Sequence, residues 1–167
     1  RIDPWRAVDT GAELGGKLPL SRLLRLRGAL RDLDGDSEFR LVFSRDAEHR
    51  GTVRGEVRAR LQLTCQRCFG PYAHTVDADF ELALVSGIDE VRRLPERYDP
   101  LLVTDGLVRI ADLIEDELLL ALPQIPVHPL GECEAATHPM TDSGESPRHE
   151  EVHPFAALAG WKRDERS

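Results

Sequence analysis

Residues 53–84 read Val53-Arg54-Gly55-Glu56-Val57-Arg58-Ala59-Arg60-Leu61-Gln62-Leu63-Thr64-Cys65-Gln66-Arg67-Cys68-Phe69-Gly70-Pro71-Tyr72-Ala73-His74-Thr75-Val76-Asp77-Ala78-Asp79-Phe80-Glu81-Leu82-Ala83-Leu84. Up to Cys65 the odd positions are apolar or small and the even ones are charged or polar. After Gly70-Pro71 the apolar side moves to the even positions, Tyr72, His74, Val76, Ala78, Phe80, Leu82 and Leu84. A repeat of two is the signature of a half-buried strand. Two such strands joined by a short bend predict a long antiparallel hairpin. With Gln66–Pro71 as the loop, Val57 falls opposite Phe80, Ala59 opposite Ala78, Leu61 opposite Val76 and Cys65 opposite Tyr72. The polar face then pairs Arg60 with Asp77 and Arg58 with Asp79. A slip by one residue would turn every apolar side chain into water, so burial forbids it.

Outward from the hairpin the signals are shorter. Glu38 to Ser44 predicts another strand, with Phe39, Leu41 and Phe43 on one side. Leu20 to Leu33 alternates leucine with arginine and reads as a helix followed by a strand. Arg1 to Lys17, holding Asp3-Pro4 and Gly15-Gly16, reads as irregular. Downstream, Leu94-Pro95 and Asp99-Pro100 interrupt regular structure, and Leu101 to Val103 suits a short strand. Ile110 to Leu122 predicts an amphipathic helix. Ile110, Leu113, Ile114, Leu118, Ala121 and Leu122 face inward; Asp112, Glu115 and Asp116 face water. Pro123 ends it. The fold class expected is α+β: an antiparallel sheet or partial barrel around the long hairpin, covered by one or two helices. Residues 1–134 form the single domain. Residues 135–152 read as a flexible acidic linker. Residues 153–167, with Phe155, Leu158 and Trp161 at helical spacing and Pro154 in the first turn, read as a short helix that docks on the domain or on a partner.

Composition narrows the function. The chain has 167 residues, enough for one domain with a substantial core. No apolar run approaches the ~20 residues of a membrane span, and no leader of the secretory type is evident. Three cysteines, Cys65, Cys68 and Cys133, do not form a secreted disulfide framework, so the cytoplasm is the expected compartment. The net charge of −8 is unevenly spread: Lys17 to Arg67 holds 12 Lys/Arg against 7 Asp/Glu, and Asp77 to Glu151 holds 5 against 18. An acidic chain does not coat nucleic acid non-specifically, although a local basic surface on the first half can still touch RNA.

Several segments occur in a telling order. Leu63-Thr64-Cys65-Gln66-Arg67-Cys68 closes a strand, and Leu94-Pro95-Glu96-Arg97-Tyr98-Asp99-Pro100 follows. Ile114-Glu115-Asp116-Glu117-Leu118-Leu119-Leu120-Ala121-Leu122-Pro123 precedes Pro126-Val127-His128 with Cys133 close behind, and His153-Pro154-Phe155-Ala156-Ala157-Leu158 stands near the end. In this order the chain resembles the YceD family, the large ribosomal RNA subunit accumulation proteins. The resemblance implies a non-enzymatic ribosome biogenesis factor supporting synthesis, processing or stability of the large-subunit (23S) ribosomal RNA. It implies no catalytic residues. Some relatives carry more cysteines after the proline-rich segment; here only Cys133 stands there, so a single chain cannot build a four-cysteine site.

The residues suggest their own chemistry. Cys65 and Cys68, separated by two residues at a hairpin bend, are half of a zinc knuckle. Cys133 offers a third thiolate, and His128 is the first choice for the fourth ligand of a structural zinc ion, ahead of His138 and His74. Thiol redox chemistry is the rival, but it favours a cysteine at a helix N-terminus, not a strand end. Arg54, Arg58, Arg60 and Arg67, with Arg22, Arg25, Arg27 and Arg31 upstream, are candidates for contact with RNA phosphates or a partner. The alternative is an adaptor whose acidic half binds a basic ribosomal protein or assembly factor without touching RNA. No phosphate-binding glycine loop or nucleophile elbow is present, so no enzyme and no small-molecule substrate are expected.

Overall fold

A computed structural model describes residues 1–133. The expected linker over 135–152 and the expected helix over 153–167 lie outside the described residues. The chain begins with helix α1, Pro4–Thr10, followed by strand β1, Glu13–Pro19. Two single 3₁₀ turns, Leu20–Arg22 and Leu26–Gly28, lead to strands β2, Asp36–Arg45, β3, Gly51–Thr64, and β4, Pro71–Val85. Helix α2, Ile88–Val91, strand β5, Asp99–Leu102, and helix α3, Ile110–Leu120, complete the described part. The strands form one five-stranded open sheet in sequential order. All neighbours are antiparallel except β4 and β5, which run parallel. This is the α+β architecture expected, built on the β3–β4 hairpin. Among the described residues no helix is long and apolar enough to cross a membrane.

The alternation places the core. On one face Leu41, Phe43, Val53, Val57, Leu61, Leu63, Val76, Leu82 and Leu84 pack against α1, the 3₁₀ turns and α3. On the other face Arg40, Arg54, Glu56, Arg58, Arg60, Asp77 and Asp79 remain in or near water. One-sided burial is the usual reason an antiparallel strand reads as apolar-in, polar-out.

The register differs from the expected one by two residues. Thr64 pairs with Pro71, so Phe80 lies opposite Gly55, Ala78 opposite Val57, Val76 opposite Ala59 and Tyr72 opposite Leu63. A shift of two leaves every side chain on its face, and the alternation is therefore blind to it. Volume decides. A Cβ built on Gly55 would sit 2.0 Å from Cζ of Phe80, so the Phe80 ring lies over a β3 position that has no side chain. On the wet face Arg58 meets Asp77 at 2.9 Å, in place of Arg60, and Arg54 meets Glu81 at 3.3 Å.

Three further expectations are corrected. Asp3-Pro4 is a helix start: the Asp3 carboxylate accepts the Arg6 N–H at 3.1 Å, Pro4 needs no N–H donor in the first turn, and Gly11 closes the helix at φ 59°. Gly15-Gly16 lies in the edge strand β1. The leucine–arginine stretch forms only the two 3₁₀ turns, because Leu20, Leu23 and Leu26 are drawn under the sheet while their neighbours stay outside.

The third correction concerns Glu115, which faces inward. It is 4% exposed, and its carboxylate accepts the backbone N–H groups of Arg25 (2.6 Å) and Leu26 (3.0 Å) together with Nε of Arg25 (3.1 Å). Helix α3 thereby caps the 3₁₀ segment from outside its own chain region. Arg25 is occupied here and by Asp116, which removes it from the basic surface.

Two measurements check this packing. Gly55→Ala should lower the unfolding free energy in urea by about 1–3 kcal/mol through overpacking against Phe80, and Phe80→Leu in that background should restore part of it. Glu115→Ala leaves the Arg25 and Leu26 N–H groups without their acceptor, for an expected loss of about 1–3 kcal/mol; an unchanged urea midpoint would contradict the cap.

Candidate metal centre

The bend after β3 is built by its backbone. Cys65 N–H donates to the Gly70 carbonyl at 3.0 Å and Phe69 N–H to the Cys65 carbonyl at 2.9 Å. The Arg67 N–H points at Sγ of Cys65 at 3.4 Å. Alternation along β3 turns Cys65 to the buried side, and the two-residue spacing brings Cys68 round the bend beside it.

The proline-rich segment after α3 supplies the other half. Pro123 stops the helix, and the Pro126 carbonyl accepts the Gln66 N–H at 2.8 Å, which docks the segment on the bend. His128 follows. Its Nε2 lies 2.8 Å from the Pro71 carbonyl, and its ring stands edge-on to Tyr72 with centroids 5.5 Å apart. A turn closed by Glu132 N–H on the Pro129 carbonyl, with Gly131 at φ 93°, returns the chain to Cys133.

Four candidate ligand atoms thereby meet. Those of Cys65, Cys68, His128 and Cys133 all lie within 4.8 Å of one another. Sγ of Cys65 is 3.9 Å from Sγ of Cys133, and Sγ of Cys68 is 3.4 Å from Nδ1 of His128. A tetrahedral ion with metal–sulfur bonds of ~2.3 Å and metal–nitrogen bonds of ~2.0–2.1 Å sets edges of about 3.8 Å between sulfurs and about 3.5 Å between sulfur and nitrogen. The observed edges match both, so the cluster can hold a metal ion. The Nε2–H···O=C bond to Pro71 fixes the tautomer that leaves Nδ1 free to ligate, the supporting contact that metal-binding imidazoles ordinarily have.

The groups of the cluster perturb one another's protonation. Burial opposes ionisation of Cys65, but the N–H groups of Cys68, His128 and Arg67 around its sulfur prevail and bring the thiol down to about 5. At Cys68 the Gly70 N–H favours the thiolate, yet burial and the neighbouring Cys133 and Cys65 sulfurs together hold the thiol above its ordinary value. His128 is raised, first by donating to Pro71 and then by the adjoining thiols of Cys133 and Cys65.

The remaining sequence candidates separate. His74 stays outside the cluster: its Nε2 is 3.4 Å from the Ala121 carbonyl and its ring adjoins Tyr72. His138 lies outside the described residues. Arg54, Arg58 and Arg60 line the wet face of β3, the first two paired with carboxylates, while Arg67 stands exposed on the bend. One residue was missed by the sequence reading: Phe69, 71% exposed with φ 58° at the tip. Its position between Cys68 and Gly70 was the available signal, since an aromatic beside a bend glycine has little core to enter.

Comparison with known proteins places the chain. The family model described as "Large ribosomal RNA subunit accumulation protein YceD" matches residues 53–162, a span that contains all four cluster residues. The Haemophilus influenzae protein of that name is 30% identical over 165 residues, covering 97% of this chain and 94% of the relative. No solved structure matches the chain. A family model over most of the chain and a relative matched almost end to end agree, and the chain belongs to the YceD family of large ribosomal RNA subunit accumulation proteins.

Proposed function

We propose that this protein is a non-enzymatic factor that supports synthesis, processing or stability of the large-subunit (23S) ribosomal RNA in the cytoplasm, and that it carries a structural zinc ion. The near full-length match to a relative named for large ribosomal RNA subunit accumulation carries the first part. The cluster of Cys65, Cys68, His128 and Cys133 carries the second. Three thiolates and an imidazole suit zinc, and four protein ligands fill a tetrahedral ion, leaving no position for water or substrate. That favours a structural over a catalytic role. The ion would tie the segment after α3 to the hairpin, two regions about sixty residues apart in sequence.

The acidic adaptor alternative has less support. Asp77, Glu81, Glu115 and Asp116 of the acidic half already pair with Arg58, Arg54 and Arg25.

Deleting the gene should lower the ratio of large- to small-subunit ribosomal RNA, with recovery on re-expression of the wild-type chain. An unchanged ratio would sink the ribosomal reading. Protein purified without chelator should contain about one zinc per chain, and Cys65→Ser or Cys133→Ser should cut this several-fold. Because such sites supply on the order of 10 kcal/mol in small domains, stripping the ion should lower the thermal midpoint by at least about 10 °C. Metal content well below one equivalent would remove the zinc assignment.

A further inference from the structure

We propose that the tip of the β3–β4 bend, with the groove beside it, binds a short unpaired stretch of RNA; this rests on the ribosomal reading above and names the surface that meets the nucleic acid. The first observation is Phe69. Its ring is 71% exposed, and its φ of 58° lies in the left-handed region that a bulky side chain rarely occupies. Such a backbone costs about 1–3 kcal/mol and persists only where its surroundings over-determine it. Here the Phe69 N–H to Cys65 and the Cys65 N–H to Gly70 bonds do so. The strain brings no burial in return, and it aims an aromatic face at solvent.

The second observation is charge. Nη1 of Arg31 lies 3.4 Å from the Phe69 carbonyl, and Arg67 is exposed two residues before the ring. Among the described residues neither Arg31 nor Arg67 forms an ion pair, whereas Arg54 and Arg58 on the sheet do. Two guanidinium groups without carboxylate partners beside one exposed ring match a phosphate–base–phosphate unit. Asp32 and Glu132, exposed and adjacent in sequence to Arg31 and Cys133, temper the local potential, so the site relies on stacking as well as charge.

The third observation is space. A groove of about 380 Å³ is lined by Gly28, Leu30, Thr64, Gln66, Pro123 and Gln124, among others. Leu30 and Pro123 offer apolar surface for a base, and Thr64, Gln66 and Gln124 offer hydroxyl and amide groups for its edges. Bases are presented this way only when splayed out of a helix, which selects unpaired RNA over duplex. Stacking on an aromatic tolerates any base.

The test uses the full chain and a fluorescein-labelled mixed-sequence RNA ten nucleotides long, read by anisotropy, with the same sequence as a duplex for comparison. Binding should favour the single strand. Phe69→Gly relieves the left-handed strain, so its thermal midpoint should hold or rise, while its affinity should fall about tenfold or more, the loss expected from one stacked base. Phe69→Trp should keep the affinity. Charge reversal at Arg31 and Arg67 should weaken binding and flatten the salt dependence by about 1.4 in log–log slope, the value for two single-strand phosphates. Reversal of Arg58 and Arg60 should leave it nearly unchanged. Equal affinity of Phe69→Gly and wild type, or of duplex and single strand, overturns the proposal. So does absence of probe binding together with lost ribosomal RNA accumulation in a Phe69→Gly strain, which would assign the tip to a protein. A Phe69→Gly strain with a normal ribosomal RNA ratio and unaltered probe binding defeats this site alone, because the gene-deletion ratio tests the ribosomal reading separately.

Discussion

Burial of the odd-numbered β3 side chains underlies the rest of the structure. Val53, Val57, Leu61 and Leu63 are each at most 2% exposed. Their side of the strand fixes the side of Cys65, two residues beyond Leu63 on the same parity. Burying an aliphatic side chain of this size contributes about 1.5–3 kcal/mol. Turning four of them outward to present Cys65 differently would therefore cost far more than any alternative arrangement of the bend could recover. The direction of the first thiol is a consequence of sheet packing, and the bend, the docked proline-rich segment and Cys133 are arranged around it.

Period-two arguments made that parity legible in the sequence and left its translation along the partner strand open. Alternation fixes a register only to within two residues. The Gly55–Phe80 match that settles it is a fact about volume, visible only when both strands are considered together. Glu115 was misplaced for a related reason. Helical periodicity puts it at the margin of the apolar stripe, one position from Ile114, and charge argued for the water side. The two unsatisfied backbone N–H groups of Arg25 and Leu26, ninety residues away, drew it inward. A buried carboxylate is legible in sequence only if the donors that satisfy it are, and 3₁₀ turns in a leucine–arginine stretch carry no such mark.

The site residues were more legible than the contacts that hold them. Cys65, Cys68 and Cys133 are the chain's only cysteines, and His128 shares a proline-stiffened segment with Cys133. Few conformations are open to Pro123–Pro129, so the two ligands arrive as a unit once Pro126 meets Gln66. That anchoring bond is between backbone groups, and no side-chain pattern reports it. The arginines were harder to sort. Sequence put forward Arg54, Arg58, Arg60 and Arg67, with Arg22, Arg25, Arg27 and Arg31 upstream. Partners divide them: Arg25, Arg54 and Arg58 are held by carboxylates, Arg31 reaches the Phe69 carbonyl, and Arg67 stands exposed on the bend.

Helix α3 connects the 3₁₀ segment to the bend. At its middle Glu115 grips the 3₁₀ segment through Arg25 and Leu26, and beyond its end the Pro126 carbonyl holds the chain to the bend beside the cluster. The groove beside the bend takes one wall from each anchored region: Gly28 and Leu30 follow the segment Glu115 caps, while Pro123 and Gln124 precede the segment the cluster fixes. Its width is therefore set by two restraints acting on one rigid helix. Loss of the ligand cluster would release the Pro123–Gln124 wall, and loss of the Glu115 cap the Gly28–Leu30 wall. A base-sized opening with independently anchored sides keeps its dimensions without a lid, because its walls are held by bonds that a ligand need not form.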